Sequence, residues 1–285
     1  MIKINSARPI TQLLDDLPPK RALCAFNVET FPMLRAAFRA ASTTQCPVVI
    51  AYSQPAAQAL GYLQTADLVA LVGGHFPEVS YALHLDHCQD PRQVIAAVAE
   101  GFTSANLLDD GDLEPGAYLP AAQQLRAAVG TDVSLEFICG KLGHINDAES
   151  GPHEPISVGD IIEFASACSP DILGFDHGSI HGMLERTQHL DLDLIRRISD
   201  AADLPQVLHG SSGVLPAEIR AGIDAGIRKI NIETALRTTY MNTISLAVTG
   251  ASDTARKPRL LDRELEDVMT GRFADFLTDY TLRKA

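Results

Sequence analysis

The sequence contains no tryptophan and only five cysteines among its 285 residues. The cysteines are odd in number, scattered along the chain and without a CxxC pair. A small disulfide-based scaffold is therefore excluded. A reducing cytoplasm fits this usage best, with most of the cysteines acting as small buried apolar side chains.

Positive charge is also scarce, because 23 Lys and Arg stand against 36 Asp and Glu, which gives a net charge of −13. A broad nucleic-acid-binding face or an attraction to anionic membranes is therefore not expected. The most apolar stretches, such as Pro47–Ala51 and Leu68–Val72, are far shorter than the roughly 20 residues that span a bilayer. The first residues lack the apolar region of a secretory signal. These absences predict a cytoplasmic protein.

What the chain does contain is an alternation of short apolar, β-branched runs with Ala-rich segments of helical period. Apolar strands joined by helical crossovers predict a parallel sheet covered on both faces. Eight such strands within about 250 residues indicate an α/β fold, the (β/α)8 TIM barrel. The predicted strands are 22–28, 47–53, 81–86, 104–109, 132–138, 171–176, 205–209 and 228–233. The predicted helices are 32–45, 65–72, 91–100, 120–129, 158–168, 190–202, 216–225, 239–248 and 264–282.

No linker or shift in composition divides the chain. We therefore expect a single barrel domain over residues 1–285, with a C-terminal helical extension at about residues 250–285. The main alternative is a doubly wound open sheet, but no GxGxxG motif follows the first strand to support it. The polar, Gly- and Pro-rich segment Gly140–Pro155 follows the fifth strand and predicts a long lid or binding loop at the C-terminal face of the barrel.

Histidines at predicted strand ends are the strongest functional signal. His87 follows the third strand, His181 lies beyond the sixth, and His209 ends the seventh. A barrel brings these ends together, and three imidazoles with one open position suit a catalytic Zn²⁺. The alternative for each is a hydrogen-bonded histidine at the barrel rim. Asp86, next to His87, could act as a general acid or base, or could orient a ligand histidine.

Glycine-rich turns follow the last two predicted strands. His209-Gly-Ser-Ser-Gly213 closes the seventh strand and Asn231-Ile-Glu-Thr234 closes the eighth. Backbone N–H groups at this place in a barrel, together with a helix N-terminus, commonly bind phosphate. An acidic protein could thus hold an anion locally.

Several of these motifs together resemble the class II, metal-dependent ketose-bisphosphate aldolases, in the shorter branch with fructose- and tagatose-bisphosphate aldolases. The similarity covers nearly the whole chain. The motifs that carry it are Ala25–Val28, His84–His87, Gly178–Gly182, Val207–Gly213, Arg228–Thr234 and Pro258-Arg259.

The resemblance implies that His87, His181 and His209 bind one Zn²⁺ and that Asp86 handles the proton of the C4 hydroxyl. It also implies a set of residues around the phosphate of dihydroxyacetone phosphate: Gly182, Gly210, Ser212, Asn231, Glu233 and Thr234. A metal that stabilises the enediolate as a Lewis acid needs no Schiff-base lysine. The resemblance therefore implies that Lys229, which lies in the eighth predicted strand, does not form a Schiff base.

The sequence departs from the family pattern on the fifth strand and in the loop after it. Glu136 matches the first of two family glutamates, whereas Ile138 occupies the second position. Asn146 stands where the family carries the Glu assigned to proton transfer at the nucleophilic carbon. An amide cannot be a general base, so the task could pass to another group, or the reaction could differ. The candidate groups are Asp147, Glu149, His144 and the unusual pair Asp176-His177.

The fourth strand differs too, since Asn106–Asp110 runs one residue longer than the family motif before its first Asp. A second cation site is therefore not expected.

We predict a zinc-dependent aldolase that reversibly cleaves a phosphorylated ketose to dihydroxyacetone phosphate and an aldehyde, acting as a homodimer or homotetramer. A catalytically silent paralogue that binds a sugar phosphate or stabilises a partner is the non-enzyme alternative. A metal-dependent barrel hydrolase is less favoured, because the first strand has no HxH motif.

Overall fold

The computed structural model describes residues 6–108, 118–144, 156–250 and 257–282. Eight of its strands are β1 (Leu23–Asn27), β2 (Val48–Ser53), β3 (Tyr81–Asp86), β4 (Ser104–Leu107), β5 (Ser134–Cys139), β7 (Ile172–Phe175), β9 (Gln206–Leu208) and β10 (Ile227–Ile232). They are parallel and form a closed barrel, in which β1 pairs with both β2 and β10. The predicted TIM barrel is confirmed.

Helices connect and surround these strands. They are α1 (Ile10–Asp15), α2 (Phe31–Thr44), α3 (Gln54–Leu60), α4 (Tyr62–Gly73), α5 (Pro91–Ala99), α6 (Tyr118–Val129), α7 (Val158–Cys168), α8 (Leu192–Ala202), α9 (Pro216–Ala225), α10 (Thr234–Thr249) and α11 (Pro258–Phe276), with a π-helical turn at Leu277–Leu282. Within the described ranges, none of the helices is both long and apolar enough to cross a membrane.

The sequence patterns miss some helices and strands and misplace the start of others. The short helices α1 and α3 were not predicted, and α10 and α11 begin five or six residues earlier than their apolar periods indicate. In α3 only Ala57 is buried, so the helix has no apolar face to detect. Two further strands, β6 (Gly143–His144) and β8 (Ile180–His181), form a separate parallel pair. A strand of two residues is too short to show the alternation of apolar and polar residues that predicts a strand.

The side chains that point into the barrel are mainly apolar at one end of the barrel and mainly polar at the other. Successive side chains of a strand point to opposite faces, so Ala82, His84 and Asp86 of β3 share the inner face. Near the N-terminal end of the barrel the interior is apolar, and Ile10 and Leu13 of α1 pack against it. Towards the C-terminal end, the inward positions carry buried polar groups instead. Polar side chains are therefore concentrated at the C-terminal mouth, where barrel enzymes have their active sites.

The outer layer is completed by α11, which packs on α2 and on the outer face of β1. The ring of Phe273 lies 4.5 Å from that of Phe26, centroid to centroid. Arg35 and Arg39 of α2 form ion pairs with Glu266 and Asp267 of α11, at 2.9 Å and 2.6 Å. The C-terminal helix is therefore part of the barrel wall.

Replacing Phe273 by alanine tests this packing. Because Phe273 is fully buried, Phe273→Ala should lower the free energy of unfolding by about 3–5 kcal/mol. Circular dichroism in urea can follow the transition, since the chain has no tryptophan to report by fluorescence. The control is Leu246→Ala on α10, where the side chain is 72% exposed and the change should stay within about 0.5 kcal/mol. Equal effects of the two changes would contradict this role of α11.

Candidate active site

Three imidazoles meet at the C-terminal mouth of the barrel. His87 directly follows β3, His181 ends β8 and His209 directly follows β9. Each offers a ring nitrogen, and these nitrogens all lie within 4.8 Å of one another. The ring centroids are 5.3 to 5.7 Å apart. We call these three residues the histidine cluster. The structure thus brings together the residues that the sequence singles out.

The backbone at His87 is in the left-handed region, with a φ of +54°. This conformation is uncommon for residues other than glycine, although histidine adopts it more readily than most. It turns the chain sharply at the end of β3 while the His87 ring stays beside the other two. An unusual conformation held at this position is typical of functional sites.

The hydrogen bonds of His181 and His209 determine which ring nitrogen of each carries a proton. Nδ1 of His181 lies 3.2 Å from the carbonyl oxygen of Gly143, which can only accept. Nε2 of His209 lies 2.8 Å from a carboxylate oxygen of Glu136. Burial would raise the pKa of Glu136, but Lys229 and His209 lower it well below the usual range, so this carboxylate also only accepts. Both nitrogens therefore carry their protons.

The remaining nitrogens, Nε2 of His181 and Nδ1 of His209, face each other at 3.4 Å. A proton or a metal ion between them stabilises such a close approach. Two nitrogens bound to a tetrahedral zinc ion at about 2.0–2.1 Å would be about 3.4 Å apart. The donor set therefore fits a divalent metal ion.

The protonation state of His181 also suits metal binding. Burial lowers the pKa of His181 to about 3, with further lowering by His209 and His87. The ring is therefore neutral near pH 7, which is the form that binds metals. Beside the cluster, Asp86, Glu136 and Lys229 are fully or almost fully buried. Their charges sum to −1, which favours a cation.

Asp86 is held beneath the cluster by three side-chain amides. Oδ2 accepts from Asn27 at 2.7 Å, and Oδ1 accepts from Asn106 and Asn231 at 2.8 Å and 3.1 Å. Burial would raise the pKa of Asp86, but the imidazoles of His87 and His84 bring it well below the usual range. Its nearest approach to His87 is 3.8 Å, too long for a hydrogen bond. The geometry therefore does not support orientation of His87 by Asp86.

The residues expected around a phosphate lie beside the histidine cluster. Gly182, Gly210, Ser212, Asn231, Glu233 and Thr234 line the same small cavity as the three imidazoles. Gly210 has a φ of +65°, and a Cβ there would lie 3.0 Å from the backbone of Ile180. Ser212 accepts the N–H of Ala235 in the first turn of α10 at 3.2 Å. The turn after β9 is thus attached to a helix N-terminus, where anions are favoured.

A second, larger cavity of about 540 Å³ opens outward from the cluster. It shares His87 and His181 with the inner cavity and is also lined by Gln54, Lys141 and Arg237. Arg237 pairs with Glu233 at 2.7 Å. Neither Lys141 nor Arg237 belongs to a strand-end motif, so no sequence pattern singles out these two cationic residues.

The loop residues Asn146, Asp147 and Glu149 lie outside the described residues, as does the side chain of His144. Asp176 is exposed and accepts the N–H of Gly178 at 2.8 Å. His177 is buried and stacks on Phe175 at 4.0 Å between ring centroids. Burial lowers the pKa of His177 to about 3. In the described part of the chain, neither member of this pair lines the two cavities at the mouth.

A closed barrel with three imidazoles and a carboxylate at its C-terminal mouth defines a class of metal-dependent barrel enzymes. Residues 11–282 match the family model described as "Fructose-bisphosphate aldolase class-II". The chain therefore belongs to this family, whose members are aldehyde-lyases and generally depend on a metal. The predicted family and enzyme class are confirmed.

Named relatives have several sugar-phosphate substrates. The chain is 29% identical over 244 residues to a fructose-bisphosphate aldolase of Mycoplasma genitalium, covering 82% of each protein. It is 30% identical to a 6-phospho-5-dehydro-2-deoxy-D-gluconate aldolase of Shouchella clausii, covering 90% of this chain and 88% of that protein. A sulfofructosephosphate aldolase of Alkalicoccus urumqiensis is 29% identical, with 77% and 76% covered.

Solved structures share the fold. The YdjI aldolase from Escherichia coli K12 superposes with a TM-score of 0.78 at 20% identity, over 96% of this chain and 97% of that one. The fructose-bisphosphate aldolase of Campylobacter jejuni gives a TM-score of 0.76 at 18% identity, over 98% and 97%.

Removing one of the three imidazoles tests the cluster. His181→Ala should weaken Zn²⁺ binding by about 100-fold or more, since loss of a mere supporting group already costs 10–100-fold. The free energy of unfolding of the metal-free protein should fall little, because His181 is only half-buried at the mouth of the barrel. Competition with a chromophoric chelator measures the affinity. His189→Ala is the control, because this exposed ring contacts Glu218 and not the cluster. Equal affinity of the His181→Ala variant and the wild type would contradict the assignment.

Proposed function

We propose that the protein is a zinc-dependent class II aldolase that reversibly cleaves a phosphorylated ketose to dihydroxyacetone phosphate and an aldehyde. The observation that carries the proposal is the convergence of three imidazoles at the barrel mouth, with Nε2 of His181 and Nδ1 of His209 only 3.4 Å apart. Each relative named above acts on a phosphorylated sugar. The inner cavity supports the same chemistry, because it offers a turn and a helix N-terminus suited to an anion.

His87, His181 and His209 would hold the ion, with a fourth position open towards the cavities. When bound, zinc acts as a Lewis acid that stabilises negative charge developing on the substrate oxygens. The protein's own task is then to hold the substrate and to move protons. In this proposal Gly182, Gly210, Ser212, Asn231, Glu233 and Thr234 bind the phosphate of the three-carbon half.

Asp86 is the proposed base for the cleavage. Its carboxylate removes the proton of the C4 hydroxyl, the C3–C4 bond breaks as the carbonyl of the aldehyde forms, and the bonding electron pair stays on the three-carbon half. The three amides fix both oxygens of Asp86, so little reorganisation is needed as the proton moves.

C3 must then take up a proton. Asn146 cannot supply it, so we propose that the adjacent Asp147 does. The outer cavity, with Lys141 and Arg237 in its lining, would receive the aldehyde half. All five cysteines are buried thiols, which supports a reducing compartment. We propose a cytoplasmic homodimer or homotetramer.

Chelation followed by zinc replacement tests the activity. The protein is assayed with the three phosphorylated substrates of its named relatives, fructose bisphosphate, sulfofructosephosphate and 6-phospho-5-dehydro-2-deoxy-D-gluconate, by detection of dihydroxyacetone phosphate. We expect cleavage of at least one, loss of cleavage in the metal-free protein, and recovery with one equivalent of Zn²⁺. Full activity without metal would contradict the proposal. Bound zinc without any cleavage would favour the second candidate, a silent paralogue, for which Asn146 in place of the family Glu is the supporting observation.

Asp86→Asn tests the proton transfer separately. The amide keeps the shape of the side chain but cannot accept the C4 proton, so kcat should fall by about 10²–10⁴-fold. Zinc affinity should fall by much less than kcat, because Asp86 makes no hydrogen bond to the cluster and acts on the ion only through its charge. Steady-state kinetics and chelator competition give the two quantities. The control is Asp193→Asn on α8, whose carboxylate is exposed and pairs with Arg196. A kcat for Asp86→Asn within a few-fold of the wild type would show that another group takes the proton.

A further inference from the structure

A buried polar layer lies directly beneath the histidine cluster. His84, Glu136 and Lys229 occupy inward positions of β3, β5 and β10, and none of them is exposed. Nζ of Lys229 donates to Oε2 of Glu136 at 2.6 Å and to Nε2 of His84 at 3.3 Å. Nδ1 of His84 meets Oγ of Ser104 at 2.8 Å. A lysine this deep in a barrel is costly unless its charge is compensated.

The ammonium group of Lys229 stands in the place of a second cation. Ligand atoms of His84, Asp86 and Glu136 lie within 4.8 Å of one another and could, by composition, hold a metal ion. Lys229 already bonds two of these three residues. The layer thus contains its own fixed positive charge.

Glu136 connects this layer to the cluster. Its Oε2 accepts from Lys229, which leaves Oε1 to accept the Nε2–H of His209 at 2.8 Å. Asn106 extends the connection sideways, since its Nδ2 donates to Asp86 at 2.8 Å and to Glu136 at 3.3 Å. The amide of Asn106 is itself oriented by the N–H of Cys88, which donates to Oδ1 at 3.2 Å.

We propose that Glu136 and Lys229 form a positioning pair that holds His209 as its Nε2–H tautomer, with Nδ1 turned towards the shared ion. The inference rests on the proposed function only in taking the histidine cluster as the zinc site. Without Glu136 the ring could protonate Nδ1 instead and lose its ligand lone pair. Lys229 donates to the other oxygen of Glu136 and holds that side chain in place, so it acts through Glu136.

A merely structural role gives a different expectation. Buried ion pairs contribute little net stability, and replacing both partners by neutral groups of similar volume is often neutral or stabilising. If the pair only supports the fold, a double variant that removes both charges should be stable and should bind zinc normally. If the pair positions His209, that variant should fold but bind zinc poorly.

The variants Glu136→Leu, Lys229→Met and the double Glu136→Leu/Lys229→Met separate these cases, because leucine offers no oxygen to the Nε2–H of His209. Chelator competition with Zn²⁺ gives the affinity, and urea unfolding of the metal-free proteins gives the stability. We expect the double variant to unfold near the wild-type urea concentration and to bind Zn²⁺ about 10–100-fold more weakly, as Glu136→Leu should. Both single variants should be less stable than the double variant, since each leaves a buried charge without its counter-charge.

The control is Asp171→Asn, which removes a carboxylate that pairs with Arg126 away from the mouth. It should lower stability and leave zinc affinity unchanged. Wild-type zinc affinity in the folded double variant would overturn the proposal. Absence of zinc binding by the wild-type protein would overturn the zinc site itself, so the two failures are distinguishable.

One further measurement needs no variant of the pair. In the metal-free wild-type protein above pH 7, imidazole ¹⁵N chemical shifts report the tautomer of each ring, and the signals missing from His209→Gln identify His209. We expect a protonated Nε2 and a bare Nδ1. A predominant Nδ1–H tautomer would overturn the proposal even if every variant of the pair failed to fold.

Discussion

The site depends on one electrostatic constraint, which is that two imidazole nitrogens are held face to face at 3.4 Å and need a cation or a proton between them. A carbonyl oxygen behind His181 and a carboxylate behind His209 accept hydrogen bonds from the far sides of the two rings. A change of tautomer would cost either ring its own hydrogen bond. A divalent cation would take both facing nitrogens as ligands, so the arrangement suits a metal ion.

The barrel supplies this arrangement through alternation and closure. Because β3, β5 and β10 each direct every second side chain inward, His84, Asp86, Glu136, Lys229 and Asn231 share the interior although they are far apart in sequence. Burial of apolar side chains in the apolar half of the interior stabilises the fold. The polar half holds charges that a stability argument alone would not select, and its negative balance favours the ion that the histidine cluster can hold.

Much of this could be predicted from the sequence, because its signals are local. The apolar runs and Ala-rich periods fixed the order of strands and helices, and the positions of His87 and His209 at strand ends placed them at one mouth. The alternation that turns His84 and Asp86 inward also applies to Glu136 and Lys229. The sequence does not show that their side chains meet, since positions 136 and 229 are joined only by barrel closure.

Other features depended on contacts without a sequence pattern. The pairing of Gly143–His144 with Ile180–His181 sets the carbonyl behind His181, and strands of two residues cannot be predicted from periodicity. The departures at Ile138 and Asn146 were visible in the sequence. Ile138 is buried among apolar side chains although it lies near the C-terminal end of β5, and a methyl group on Gly174 would collide with it. This explains the glycine opposite but not the loss of the family's second glutamate.

The zinc K-edge X-ray absorption spectrum of the protein loaded with one equivalent of Zn²⁺ tests directly whether the histidine cluster holds the ion. We expect a low coordination number with nitrogen scatterers at about 2.0–2.1 Å and the multiple-scattering pattern of three imidazoles. A shell of sulfur scatterers at about 2.3 Å, or oxygen neighbours without the imidazole pattern, would show that the ion lies elsewhere and would contradict this expectation.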